Sequence, residues 1–465
     1  MLIFQFRLLQ YVNQERPNRM IQSTIVRSTT GKEFKHTTRT KKITAHPAWV
    51  LLAAFGTYFC MYGFRKPYTA STYAEASFFG IDYKILLIIA QTLGYVTSKW
   101  LGIKLVSQIK PQQRIGGILA LIGFAELMLL LFGIIPRPWN ICCLFLNGLP
   151  LGIVFGLVLG FVEGRSNTEF LIAGLCASFI VSDGISKTVG SLLLNAGISE
   201  NWMPAVAGGV FLVPTLIFTA MLAVIPPPTE ADITRRSARN TMDANDRWQF
   251  FVKYAPGIIA VTLVYLFVTL LRSIRADFAV ELWNGLGYRK TPQLFTQSEL
   301  IVSFGIILII GLAVLIRNNY RAFHFSLSIS LFGFLILLLT VLGLNMGLDK
   351  FYFMVLAGLG VYIPYVAVHA IVFERLLAIT RERANVGFLM YIVDSVGYTG
   401  YIILMIFRYL VPASNSVLSI FVYLCVCLGL AGVLAIVFSF MYFFKKLKAP
   451  KPRLTGRPAA RGAGA

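Results

Sequence analysis

Apolar residues run through this chain in blocks of 17 residues and more, and the polar residues collect between the blocks. Twelve such blocks can be marked out, at 48–76, 84–106, 114–134, 139–162, 170–195, 202–226, 253–281, 298–316, 322–345, 351–375, 384–409 and 416–444. A helix needs about 20 apolar residues to cross a hydrocarbon core of about 30 Å. The strands of a membrane barrel would alternate with period two, and these runs do not. The pattern therefore predicts an all-α integral membrane protein with twelve transmembrane helices. One long polar interruption, from Pro226 to about Phe251, splits the spans six and six. The expected organisation is an N-terminal arm 1–47, a six-helix bundle 48–226, a linker 227–252, a second six-helix bundle 253–444 and a tail 445–465.

Charge then sets the orientation. Only 13% of the chain is charged against 57% apolar, about half the charge of a soluble protein. The net charge of +22 does not point to nucleic acid, because it sits at the flanks of the spans. Residues 1–46 carry nine Lys/Arg against two acids, and the tail from Lys445 carries seven against none. Such flanks fit cytoplasmic ends beside anionic lipid. Loop cations after spans two, eight and ten (Lys104, Lys110, Arg114; Arg317, Arg321; Arg375, Arg381, Arg383) agree, whereas Arg289 and Lys290 after span seven run against the trend. The expectation is a multi-pass protein of a bacterial plasma membrane with both termini cytoplasmic. The first long apolar run begins near residue 48, so no cleavable signal peptide is expected. The six cysteines all lie in apolar runs and read as packing residues.

The two halves repeat each other. Tyr58-x6-Arg65 in span one recurs as Tyr265-x6-Arg272 in span seven, and Asp183-x4-Thr188 in span five as Asp394-x4-Thr399 in span eleven. The offsets are 207 and 211 residues. Span four ends in Glu163-Gly164-Arg165 and span ten in Glu374-Arg375. Two six-span halves of one orientation are parallel repeats, the major facilitator arrangement.

Charges inside the spans are the candidates for chemistry, because a charge at membrane depth costs about 2.5–3.5 kcal/mol or more. The first run, Ala48 to Phe64, is short, and the weakly polar stretch after it predicts a helix that continues and leaves Arg65 and Lys66 within the membrane. On such a helix Tyr58, Tyr62, Arg65 and Tyr68 share one face. Span seven repeats the theme with Tyr265, Thr269, Arg272 and Arg275. Arg275 has a structural alternative, an ion pair with Asp277 or Glu281. Span two adds Lys99, with Tyr95 one turn before it. Arginine forks suit bidentate capture of phosphate or carboxylate. A cationic cavity ringed with Tyr predicts a small anionic substrate.

Three short motifs carry a likeness. Tyr62-x2-Arg65-Lys66, Tyr95-x2-Ser98-Lys99-Trp100-x-Gly102 and Leu271-Arg272-x4-Asp277-Phe278 resemble the organophosphate:phosphate antiporters of the major facilitator superfamily. The resemblance implies that the Arg-Lys pair of the first helix, the Ser-Lys segment of the second and the Arg of the seventh surround a substrate phosphate. Two positions depart from that pattern. The loop after the second helix reads Val106-Ser107-Gln108-Ile109-Lys110-Pro111 in place of an Asp-Arg pair, and Val96 stands where the family favours Gly.

The intramembrane acids admit proton coupling. Glu126, Asp183 and Asp394 lie near mid-depth, where lone carboxylates commonly relay protons. Asp183 has Lys187 four residues on and is expected to form a structural pair with it. Asp394 has Tyr391 and Tyr398 beside it and is the better carrier, or the counter-ion of a cavity cation. His369, on one face with Tyr362 and Tyr365, is a further substrate candidate. There is no nucleophile elbow, no zinc-protease motif and no phosphate loop, so an enzyme, a metal site and a cofactor are not expected. The reading is a monomeric secondary transporter of a small organic anion, most simply a phosphorylated one, coupled to phosphate exchange or to protons, with the lipid bilayer as its surroundings. The competing reading is a polytopic membrane protein without transport, an embedded enzyme or a sensor whose basic tails bind a partner.

Overall fold

A computed structural model describes residues 46–73, 76–78, 80–109, 111–162, 165, 168–227, 244–289, 291–380, 386–410 and 416–448. The basic arm, most of the linker, the far tail, Glu75, Lys110, Glu163, Gly164, Lys290, Arg381 and Arg383 lie outside the described residues. Twelve long helices stand at the twelve apolar runs. They are α1 (Pro47–Gly63), α2 (Tyr83–Gln108), α3 (Arg114–Ile134), α4 (Ile141–Val162), α5 (Thr168–Asn195) and α6 (Met203–Ala223). The second half supplies α7 (Ala244–Asp277), α8 (Gln293–Val314), α9 (Asn319–Asn345), α10 (Lys350–Ala367), α11 (Val386–Leu410) and α12 (Val417–Lys448). Helix α10 continues through a π-helical turn, Val368–Val372, into Phe373–Thr380. Among the described residues ten helices are long and apolar enough to cross a membrane unaided, and α1 is a shorter apolar helix.

The helix contacts repeat between the halves. In the first, α1 packs on α4, α5 and α6, α2 on α4, and α3 on α4 and α6. Adding six to every number gives the contacts of the second half: α7 on α10, α11 and α12, α8 on α10, and α9 on α10 and α12. The halves meet along α5–α8 and α2–α11, a pair of seams that the same operation exchanges. This is a pseudo-two-fold repeat of two six-helix bundles. Helices α3, α6, α9 and α12 turn apolar side chains such as Leu127, Val213, Leu339 and Leu434 outward, while the buried apolar core runs unbroken through both halves. Of the cysteines, Cys60, Cys143, Cys176 and Cys425 pack inside, and Cys142 and Cys427 are exposed.

The α5–α8 seam is close because it contains a glycine. A Cβ at Gly184 would stand 2.4 Å from the carbonyl oxygen of Phe295. Gly184→Ala is expected to destabilise the protein by about 1–3 kcal/mol, the usual cost of overpacking. Gly209→Ala on α6, where a Cβ meets nothing within 4 Å, is the control and leaves the melting temperature unchanged or slightly raised.

The expected continuous first helix is not found. Helix α1 stops at Gly63, Phe64 to Lys66 form an irregular turn, and Pro67–Ala70 make one turn of 3-10 helix. Pro67 has no N–H to continue the helix and disfavours helical backbone just before it. The end of α1 is held from its side. Gln91 Nε2 of α2 donates to the Arg65 carbonyl at 2.9 Å, and Asn147 Nδ2 of α4 donates to the Phe64 carbonyl at 3.2 Å. Gln91 and Asn147 also join each other at 2.9 Å. Carbonyls that a helix end would leave bare inside a membrane are thus satisfied. A hairpin, β1 (Ser77–Phe78) with β2 (Ile81–Asp82), then leads into α2.

Candidate functional site

After the break in α1 Arg65 is buried, on a frame of hydrogen bonds and not on a helical face. Its guanidinium carbon lies 3.8 Å from the ring centre of Tyr95 and 5.5 Å from that of Tyr62. Tyr95 stands edge-on to Tyr398 of α11, with ring centres 5.1 Å apart. The hydroxyl of Tyr398 accepts a hydrogen bond from Nη2 of Arg272 at 3.0 Å, and the same guanidinium lies 4.7 Å above the ring of Tyr365. One tyrosine pair thus links the two arginines across the pseudo-symmetry axis. Both are buried, and Nε of each has no partner. Tyr58 flanks the group, between Tyr62 and Phe155.

A second set of contacts lies alongside. Lys99 Nζ is 3.1 Å from Asp394 Oδ2, joining α2 to α11. Tyr265 of α7 donates to the other oxygen of Asp394, and its hydroxyl is 3.4 Å from Nδ1 of His369 in the π turn of α10. The rings of Tyr365 and His369 stack at 5.8 Å. Asp394 is therefore the counter-ion of the buried Lys99 with both oxygens engaged, the ion-pair role that the sequence left open beside proton carriage.

Several predicted site residues are spoken for elsewhere. Lys66 pairs with Asp277, whose second oxygen accepts from Tyr401 at 2.9 Å. Lys84, which the sequence reading passed over, reaches Glu281 of the short helix Ala279–Gly285 at 2.6 Å. These two pairs tie the halves together at the end of the bundle away from the termini. Arg275 pairs with neither Asp277 nor Glu281: Nη1 donates to Glu299 of α8 at 2.6 Å, and Nη2 to the Met354 carbonyl at 3.1 Å. Each of its three nitrogens has a partner there, which removes it from the central group. Lys187 donates to Asp183 within α5. Glu126 faces Gly208 in the contact of α3 with α6, apart from the arginines.

The resulting charge balance is simple. Among the described residues, buried cations are Arg65, Lys66, Lys84, Lys99, Lys187, Arg272 and Arg275. Five stand in ion pairs, with Asp277, Glu281, Asp394, Asp183 and Glu299. Arg65 and Arg272 have no carboxylate within ion-pair distance. They are the two that share the Tyr95–Tyr398 pair.

Residues 67–446 match a family described as a family of unknown function, DUF5690. The chain belongs to this family. A comparison with curated proteins finds no match in sequence. Among solved structures, this DUF5690 chain is similar to a D-xylose–proton symporter at 12% identity and a TM-score of 0.55, over 84% of this chain and 97% of that one. It is also similar to a bacterial homologue of the human drug peptide transporters PepT1 and PepT2, at 13% identity and a TM-score of 0.57, over 88% and 99%. At such identities the likeness speaks for the fold, which is that of the major facilitators. The resemblance to organophosphate antiporters rests on the three motifs alone.

Proposed function

We propose that the chain is a secondary active transporter of a small organic anion, a phosphate ester, which it moves by alternating access between its two halves. The observation that carries the reading is the pair of unmatched guanidiniums. An ion stripped of water in a protein interior costs several kcal/mol, and leaving one without its partner costs about 3–5 kcal/mol. Desolvated cation–π contacts to Tyr95 and Tyr365 return about 2 kcal/mol each, which offsets part of that cost. Two such charges joined through one tyrosine pair favour a ligand with two negative charges, and a phosphate monoester presents about −1.5 to −2 at neutral pH. Its three oxygens suit guanidinium forks from both halves. The fold supports the same reading, since parallel six-helix halves carry their sites at the interface between repeats and work by rocking around them. The Tyr-rich surroundings have room for roles in positioning and none that calls for covalent chemistry, so the protein is read as a carrier and not an enzyme.

The test is counterflow in proteoliposomes. Vesicles loaded with inorganic phosphate are expected to accumulate labelled phosphate against unlabelled phosphate, and a panel of organic phosphates is expected to compete, the true substrate most strongly. An imposed pH gradient, added separately, distinguishes proton-driven uptake from obligatory exchange. If no phosphorylated or carboxylated compound exchanges, the transport of an organic anion is ruled out.

A further inference from the structure

The seam between α5 and α8 holds four buried charges to which the arginine site gives no task. Lys187 donates to Asp183 Oδ2, and Arg275 Nη1 reaches Glu299 Oε1 at 2.6 Å. The two pairs balance, yet each carboxylate uses only one oxygen. Asp183 Oδ1 and Glu299 Oε2 are buried without a partner. So is the hydroxyl of Ser186, which is fully buried and sits three residues after Asp183 on the same side of α5. Gly184 brings the acids into one neighbourhood: a Cβ there would stand 2.8 Å from Cγ of Glu299, so the α5 backbone rests on the stem of that side chain. Asp183 and Glu299 lie in each other's field.

Other charges face them from every side. Lys187 comes from α5, Arg275 and Asp277 from α7, Lys66 and Tyr68 from the turn after α1, and Tyr362 from α10. Lys66 and Asp277 neutralise each other. The cluster therefore sums to zero with three polar oxygens left over. A buried acceptor without a donor destabilises the fold, and more so when it is charged. A hard metal ion takes about six to eight oxygens, at least twice what the seam presents. A proton needs one, and it turns a bare carboxylate oxygen into an O–H donor for another.

We infer that Asp183 and Glu299 together bind one coupling proton in the α5–α8 seam. The proton enters from water, forms one O–H bond, and breaks none in the protein. Asp394 lacks this capacity because both its oxygens are occupied. Glu126 has a bare oxygen but lies between α3 and α6 of one half, where rocking of the halves does not change its access. The α5–α8 seam joins the halves, so its parting exposes the acids on one side only. The coupling role rests on the transporter reading; the binding of the proton does not.

The experiment has two arms on the purified full chain. Infrared difference spectra between acid and neutral pH read the carbonyl band of a protonated buried carboxyl. One band is expected to vanish in Glu299→Gln and also in Asp183→Asn, and to persist in Glu126→Gln. Asp183→Asn with Lys187→Met removes the charges in balance and serves where Glu299→Gln does not fold. Persistence of every band in the Glu299 and Asp183 variants overturns the inference. In phosphate-loaded proteoliposomes, an inward proton gradient is expected to speed phosphate uptake by the wild type and to lose that stimulation in Glu299→Gln. A chain that shows the shared band but moves no phosphate keeps the proton site and loses the transport reading. A chain that moves phosphate with all bands intact does the reverse.

Discussion

Arg272→Lys is expected to weaken binding of an organic phosphate about ten- to a hundredfold while the protein stays folded. The scale is that of one hydrogen bond to a charged group, about 1.5–3 kcal/mol. Lysine keeps the charge but not the planar fork, and it cannot use Nη2 on Tyr398 and the free Nε on a ligand together. Arg65→Lys should lose a similar amount, because Arg65 stands on the other side of the same tyrosine pair. The measurement is competition by organic phosphates in counterflow, with thermal unfolding followed beside it. A vestibule that merely attracts anions predicts the opposite: both lysine variants would bind as tightly as the parent and only alanine would fail. That result would remove phosphate recognition from these two residues and leave the fold untouched.

Asp394→Asn is expected to have the largest effect on stability, about 3–5 kcal/mol, since it leaves Lys99 buried with an uncompensated charge. Asn also disturbs Tyr265, which loses its carboxylate acceptor. The double variant Asp394→Asn with Lys99→Met should recover most of the loss, because it removes both charges together. Melting temperatures of the two proteins in one detergent check this. A single variant as stable as the parent would mean that Lys99 finds another anion or water, and that the pair does not hold α2 against α11.

The fold was legible in the sequence because apolar length is a strong signal, and the charges it singled out within the spans, Arg65, Lys99, Arg272 and Asp394, are buried. Beyond the Asp183–Lys187 pair, one turn apart on α5, what could not be read was who pairs with whom. Lys66 with Asp277 and Lys84 with Glu281 are separated by 211 and 197 residues, and the sequence offers nearer acids to each side of the argument. Arg275 went to Glu299, which had been placed at the margin of span eight, expected from residue 298; α8 begins at Gln293 and brings that acid inside. Tyr398 was seen as a neighbour of Asp394, and its larger part, joining the two arginines, needed the α2–α11 seam. The end of α1 at Gly63 was readable from Pro67, but the small residues beyond it argued for a longer helix. Gln91 and Asn147, which make that break tolerable, belong to no motif in the sequence and show their part only through their bonds to the end of α1.

The π-helical turn at Val368–Val372 fits one more residue into α10 than an α-helix of the same rise would hold. Deleting one residue inside it, Ala370 for example, should let the helix close up as regular α-helix, with Tyr362 and Phe373 still pointing as they do. The same deletion within Lys350–Ala367 would turn every later side chain by about 100°, the angle per residue of an α-helix, and carry His369 away from Tyr265. Length variation along α10 is therefore tolerable at one place, and that place is the turn bearing the histidine.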